Sequence, residues 1–268
     1  LLCLVVNLAA APDRLAHMAR AFARLGLPFE RVDGLLGSDL VARSGPHPRL
    51  GPGTYGCLAS HLAACRRIAE SGEPWGAIFE DDLHFSADAA RFLRDADWIP
   101  AGVDLVKLET FSTVTCLARV AAATVDGHDL KRLLAKHLGG GAYIVSARLA
   151  VRLAALDPRG IDVPIDTLLF NPRHLIDPNM VTLQMVPAIA IQEFKLFTPA
   201  EVRLASAIEP DRRERRAERY SGLLGRLRGA TKSSRDALKR KIREIRQTIE
   251  LRREDWERTT VPFGPPAD

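Results

Sequence analysis

Three adjacent acids, Glu80, Asp81 and Asp82, close the apolar run Trp75-Gly76-Ala77-Ile78-Phe79. The run reads as a short buried strand, and the acids fall where it emerges. Like charges packed this closely repel one another unless a cation or a set of donors holds them. Glu80 and Asp82 are two residues apart, so on an extended strand they point the same way. Hard oxygen ligands on one face suit Mg²⁺ or Mn²⁺, and Glu80 and Asp82 are the expected metal pair. His84 follows closely enough to be a third ligand. The competing reading is a polar strand end that leads into a helix near Ser86.

The elements that would carry these acids alternate. Leu1–Asn7 reads as a strand, Asp13–Leu25 as an amphipathic helix with Pro12 in its first turn and Gly26 at its end, and Phe29–Val32 as a strand closed by Asp33-Gly34. Residues 35–53 read as a long Gly/Pro/Ser loop. Thr54–Ala69 is a helix, Gly76–Phe79 the acid-bearing strand, Ala87–Arg94 a short helix and Asp104–Leu108 a strand. Val120–Thr124, Ala142–Val145 and Leu183–Ile191 are further strands, and Ala147–Leu156 is a helix. The alternation predicts an α/β fold with a mostly parallel sheet. Ligands then bind at the carboxyl ends of strands, where Asn7, Asp33, the 80–82 acids and Glu109 fall.

The chain has 268 residues, 47% of them hydrophobic, and a net charge of +5. Residues 201–260 carry 18 Lys and Arg against 11 Asp and Glu, so the excess of positive charge sits there and the remainder is about neutral. A domain over 1–200 and a basic helical extension over 201–268 are therefore expected. Within the extension, Arg212–Arg228 and Ser233–Trp256 read as helices with one apolar face. A helix packed on the domain, a segment lying on an anionic membrane surface and a self-associating helix all remain open. Nucleic acid is not an expected partner, because aromatics are scarce and no recognition motif is present. No stretch approaches the roughly 20 apolar residues of a membrane span. Cys3, Cys57, Cys65 and Cys116 show no CxxC spacing and read as free thiols of a cytoplasmic protein, with peripheral attachment to the inner membrane face as the alternative.

Several segments in order resemble the family 25 glycosyltransferases, which include lipooligosaccharide sugar transferases and collagen galactosyltransferases. They are Val5-Val6-Asn7-Leu8 with Asp13-Arg14, Val32-Asp33-Gly34, Gly56-Cys57-Leu58-Ala59-Ser60-His61, Ile78-Phe79-Glu80-Asp81-Asp82, Gly141-Ala142-Tyr143-Ile144-Val145-Ser146, Pro164-Ile165-Asp166 and Pro187 to Gln192. The resemblance spans about residues 2–195. It implies a GT-A-like nucleotide-sugar fold, and inverting, Mn²⁺- or Mg²⁺-dependent transfer of a hexose from a UDP-sugar, galactose above others. The implied acceptor is a glycan or glycolipid of the cell envelope. Val106-Lys107-Leu108-Glu109 is more charged than many relatives are at that strand end.

That chemistry assigns roles. A metal held by Glu80 and Asp82 would offset the negative charge on the leaving diphosphate, with Asp81 meeting the ribose or sugar. Asp166 is the first choice of base for the acceptor hydroxyl, against a helix N-cap. Glu109 is the second, against a salt bridge with Lys107. Asn7 and Arg14 would meet uracil and diphosphate, and Asp33 would accept from the uracil N–H or a ribose hydroxyl, although Asp33 also suits a plain turn. Ser60 and His61 would support the donor, Gly141 would allow close backbone approach, and Tyr143 would stack on a sugar or pack in the core. A metal-dependent phosphodiester or nucleotide-sugar hydrolase and a non-catalytic binding module are the alternatives.

Overall fold

The computed structural model describes residues 1–172, 176, 179–198, 201–204 and 255–266. Chain order begins with β1 (Leu2–Asn7), α1 (Pro12–Leu25), β2 (Glu30–Asp33), α2 (Gly37–Ser44), α3 (Pro52–Ser71) and β3 (Trp75–Glu80). It continues with β4 (Leu83–Phe85), α4 (Ala89–Leu93), β5 (Leu105–Lys107), β6 (Glu109–Thr110), β7 (Val114–Ala118), β8 (Ala123–Val125) and β9 (His128–Arg132). The remainder is β10 (Ala142–Ser146), α5 (Ala147–Ala154), α6 (Ile165–Phe170), β11 (Thr182–Val186), β12 (Ala190–Gln192), α7 (Glu193–Leu196) and β13 (Trp256–Thr260).

Among the described residues the main sheet runs β2-β1-β3-β10-β5-β11-β9-β8. The β1–β2, β1–β3 and β5–β11 pairs are parallel, while β10 and β9 are antiparallel to both neighbours. The fold is therefore mixed α/β, with most strand directions shared and two reversed.

The sheet is covered on both faces, which is why its strands are apolar on both sides. Val5, Ala77 and Phe79 face one core, where the α1 residues Met18, Phe22 and Leu25 pack. Phe22 meets Phe79 and Phe85 edge-on at 5.5 and 5.6 Å. Leu4, Ile78 and Tyr143 face the other, against Leu58, Leu62 and Ile68 of α3 and Leu149 of α5. Helix α1 has the ends the sequence predicts, with Pro12 in its first turn and Gly26 closing it at φ 65°.

Several expectations are corrected. Residues 35–53 are not all loop, because 37–44 form α2. The α2–α3 approach depends on glycine, since a Cβ at Gly37 would lie 1.7 Å from the Pro52 carbonyl oxygen and one at Gly56 2.4 Å from that of Leu35. The late strand divides into β11 and β12, with a cis Val186–Pro187 bond between them. Trp256 does not end a helix but begins β13, which pairs antiparallel with β7. Phe263 and Pro266 then bridge to Ala188 and Ser86, so the last described segment belongs to the folded body. The expected helix at 212–228, the expected helix at 233–256 apart from residues 255 and 256, and the expected membrane-facing segment 201–260 apart from residues 201–204 and 255–260 lie outside the described residues. No helix among the described residues is long and apolar enough to cross a membrane.

Candidate active site

Strands β1, β3 and β5 end at one edge of the sheet, and antiparallel β10 begins there. This register sets Glu80 beside the Gly139–Gly141 loop, and the Glu80 N–H donates to the Gly141 carbonyl at 2.7 Å. A cleft of about 800 Å³ opens at this edge. The sequence-predicted residues Arg14, Ser60, His61, Glu80, Asp81, Asp82 and Asp166 all line it.

Strand β3 stops at Glu80, and Asp81 and Asp82 form a turn into β4. The alternation expected to align Glu80 with Asp82 therefore does not apply, and the turn brings the acids together instead. Arg14, on the first turn of α1, spans two of them, 2.9 Å from Asp81 Oδ1 and 2.7 Å from Asp82 Oδ2. Asn7 Nδ2 donates to Asp81 Oδ2 at 2.6 Å, and Arg31 Nε donates to Asn7 Oδ1 at 3.1 Å. Burial raises the Asp81 carboxyl, against the pull of Arg14 and Asn7. Burial also pushes Asp82 up to about 8; Arg14 opposes this, while Glu80, Asp81 and Glu109 reinforce it. Asp82 Oδ1 is buried without a hydrogen-bond partner. Clustered carboxylates with one buried oxygen unmatched fit a divalent cation, which would supply the missing positive charge.

Other predicted residues lie elsewhere. Glu109 is 0% exposed and does not line the cleft. Its Oε2 lies 3.3 Å from Lys107 Nζ and accepts the Gly141 N–H at 2.7 Å. The competing reading, a salt bridge with Lys107, is what the fold contains. Burial lowers the Lys107 ammonium and raises the Glu109 carboxyl, each opposed by the other. Lys107 also donates to the Gly139 carbonyl and sits 4.3 Å above the Phe170 ring. Asp33 leaves 79% of its side chain exposed and pairs with Arg31. Asn7 is buried behind Asp81 and does not line the cleft. Tyr143 is core, and its phenol meets His61 Nδ1 at 2.9 Å. Gly141 likewise stays behind the cleft wall, where its N–H serves Glu109. His84 turns from the acids, its ring 4.9 Å from His17 and its Nε2 3.8 Å from Glu193.

Asp166 sits in the first turn of α6, but the cap position is Pro164. Its expected competing role as N-cap is thus absent. Its carboxylate accepts from Thr167 Oγ1 at 3.2 Å, and Lys136 Nζ donates to that hydroxyl at 2.7 Å. Ser60 Oγ donates to the Gly56 carbonyl at 2.7 Å and accepts the Leu35 N–H at 2.8 Å, tying the loop after β2 to α3.

Residues that sequence reasoning missed complete the cleft. Gln192, at the end of β12, donates to Glu80 Oε2. Cys57, Lys136, Phe111 and Phe194 also line it. Gln192 stands within a recognised segment, but no local pattern marks its contact with Glu80, 112 residues away.

An α/β sheet that delivers acids and cationic side chains to a cleft at its strand ends has the form of a ligand-binding site of an α/β protein. Residues 2–169 match the model of Glycosyltransferase family 25 (LPS biosynthesis protein), and the chain belongs to this family and is a glycosyltransferase. It is 29% identical over 278 residues to the lacto-N-neotetraose biosynthesis glycosyltransferase LgtB of Neisseria meningitidis serogroup B, covering 97% of this chain and 98% of that protein. It is 30% identical to LgtB of Neisseria gonorrhoeae over 81% of this chain and 84% of that one. The lipooligosaccharide biosynthesis protein lic2B of Haemophilus influenzae is 25% identical over 78% and 82%. A solved glycosyltransferase involved in glycosylation of the major capsid of PBCV-1 overlaps 80% of this chain and 100% of its own at TM-score 0.38 and 9% identity, a likeness too distant to carry weight.

Proposed function

We propose that the chain is an inverting transferase of GT-A-like fold that moves a hexose, galactose above others, from a UDP-sugar to a lipooligosaccharide-type acceptor. The observation that carries this reading is the meeting of the β3 acids and Asp166 in one cleft. The names of the relatives, which are lipooligosaccharide and lacto-N-neotetraose transferases, support the acceptor class.

Glu80 and Asp82 would hold Mn²⁺ or Mg²⁺, and that ion would offset charge on the diphosphate as it leaves. Arg14 fixes the two aspartates and presents cationic charge to the same phosphates. Asp166 takes the proton of the acceptor hydroxyl. The freed oxygen pair bonds to the anomeric carbon, and the sugar–phosphate bond breaks with its electrons on the diphosphate oxygen. Phe111 and Phe194 meet edge-on at 5.6 Å on the cleft wall and give an apolar face for a sugar ring.

The test is donor turnover with and without a terminal-sugar acceptor, in Mn²⁺ and after chelation. Acceptor-dependent release of UDP, lost on chelation and in Asp82→Asn, is expected. Asp166→Asn should lower kcat by about 10²–10⁴ with donor affinity nearly unchanged. Turnover that ignores the acceptor would replace transfer with hydrolysis.

A further inference from the structure

Cys57 and His61 stand one helical turn apart on α3, so both side chains leave the same face. Glu80 lies opposite them, its Oε1 3.9 Å from Cys57 Sγ and 3.5 Å from His61 Nε2. One ligand atom from each of the three falls within 4.8 Å of the others. In a tetrahedral site with bonds of about 2.0–2.3 Å, neighbouring ligands are about 3.3–3.8 Å apart. A slight closure of the trio therefore brings all three onto one ion.

His61 supplies the second, independent observation. The residue is 1% exposed, yet its Nε2 is buried without a hydrogen-bond partner. Its Nδ1 is held at 2.9 Å by the Tyr143 hydroxyl, which fixes the ring. With the proton on Nδ1, the Nε2 lone pair points at the Cys57–Glu80 gap, the arrangement in which a histidine binds a metal.

We propose that Cys57, His61 and Glu80 form a site for a thiophilic divalent cation, Zn²⁺ being the representative ion. A sulfur, a nitrogen and a carboxylate oxygen select such an ion over Mg²⁺ or Mn²⁺. All three residues line the cleft, which leaves the remaining coordination position open toward ligand. If Glu80 serves the donor as proposed above, Zn²⁺ bound here draws on the same carboxylate and inhibits transfer.

Cobalt titration of the full, reduced chain tests the site without reference to activity. One equivalent of Co²⁺ should give a sulfur-to-cobalt charge-transfer band in the near ultraviolet, and Zn²⁺ should displace it. Cys57→Ser should abolish the band, keep its circular dichroism and melting temperature, and weaken Zn²⁺ binding at least about tenfold. Asp82→Asn should keep the band even where it loses transfer, which separates this site from the catalytic reading. Absence of a band in the wild-type chain overturns the proposal. A band that survives Cys57→Ser also overturns it, since the sulfur would then be Cys3, Cys65 or Cys116. Equal Zn²⁺ inhibition of the wild type and Cys57→Ser would overturn the link to transfer.

Discussion

Replacing Glu109 with Gln separates a positioning carboxylate from a catalytic one. Glu109 and Lys107 are both 0% exposed and lie 3.3 Å apart under the Gly139–Gly141 loop. Removing one partner of a buried pair leaves the other charge uncompensated and costs about 3–5 kcal/mol. Gln keeps an oxygen that can accept the Gly141 N–H now held at 2.7 Å, so the lower end, about 3 kcal/mol, is expected. For a chain of this size that corresponds to a fall in melting temperature of about 6–12 °C. Lys107→Met removes the orphaned ammonium and leaves a chain of similar length over the Phe170 ring. The double variant Lys107→Met/Glu109→Gln should therefore recover more than half of the loss, a strong coupling between neighbours. Urea midpoints of the four proteins give the cycle, and UDP release at a temperature where all are folded gives the activity. Glu109→Gln should keep kcat within about tenfold, whereas a lost general base costs about 10²–10⁴. A single variant within about 1 kcal/mol of wild type, or a double variant equal to the sum of the singles, would refute the uncompensated-charge account. A kcat collapse in folded Glu109→Gln would restore Glu109 as the base.

Three further outcomes follow from other parts of the fold. Burial, with Lys107 nearby, lowers His137 from 6.5 to about 3, against its hydrogen bond to Gln184. Between those values the unfolded chain binds a proton that the folded chain refuses. This contribution is fully present above about pH 6.5 and is lost as pH falls toward 3, by up to about 1.4 kcal/mol per pH unit. His137→Gln should flatten the urea midpoint between pH 7 and 5, and an unchanged slope would contradict the assignment. Gly37→Ala sets a Cβ against backbone rather than a yielding side chain, so α2 should part from α3 at a cost of about 1–3 kcal/mol, read as a lower melting temperature. For the basic segment 201–260, sedimentation with liposomes should favour anionic over neutral vesicles, and no preference would remove the membrane-surface reading.

The sequence alone determined what depends on local order. The apolar run of β3 and its acids, the Pro12 and Gly26 ends of α1, and the alternation of strands and helices were legible because hydrophobic period and backbone stereochemistry act over a few residues. Arg14, His61 and Asp166, singled out with the ordered family segments, line the cleft. Tertiary structure decided what each polar group does there. Glu109 and Asp166 are both acids near element ends. One, at the start of β6, is sealed under the Gly139–Gly141 loop against Lys107, and the other, in the first turn of α6, lines the cleft. Asp33 ends its strand as expected but faces solvent beside Arg31. The return of Trp256–Thr260 to β7 could not be read either, since an exposed edge pairing across more than a hundred residues leaves little periodic trace. Burial and long-range pairing, which fix charge and reach, are properties of the packed chain.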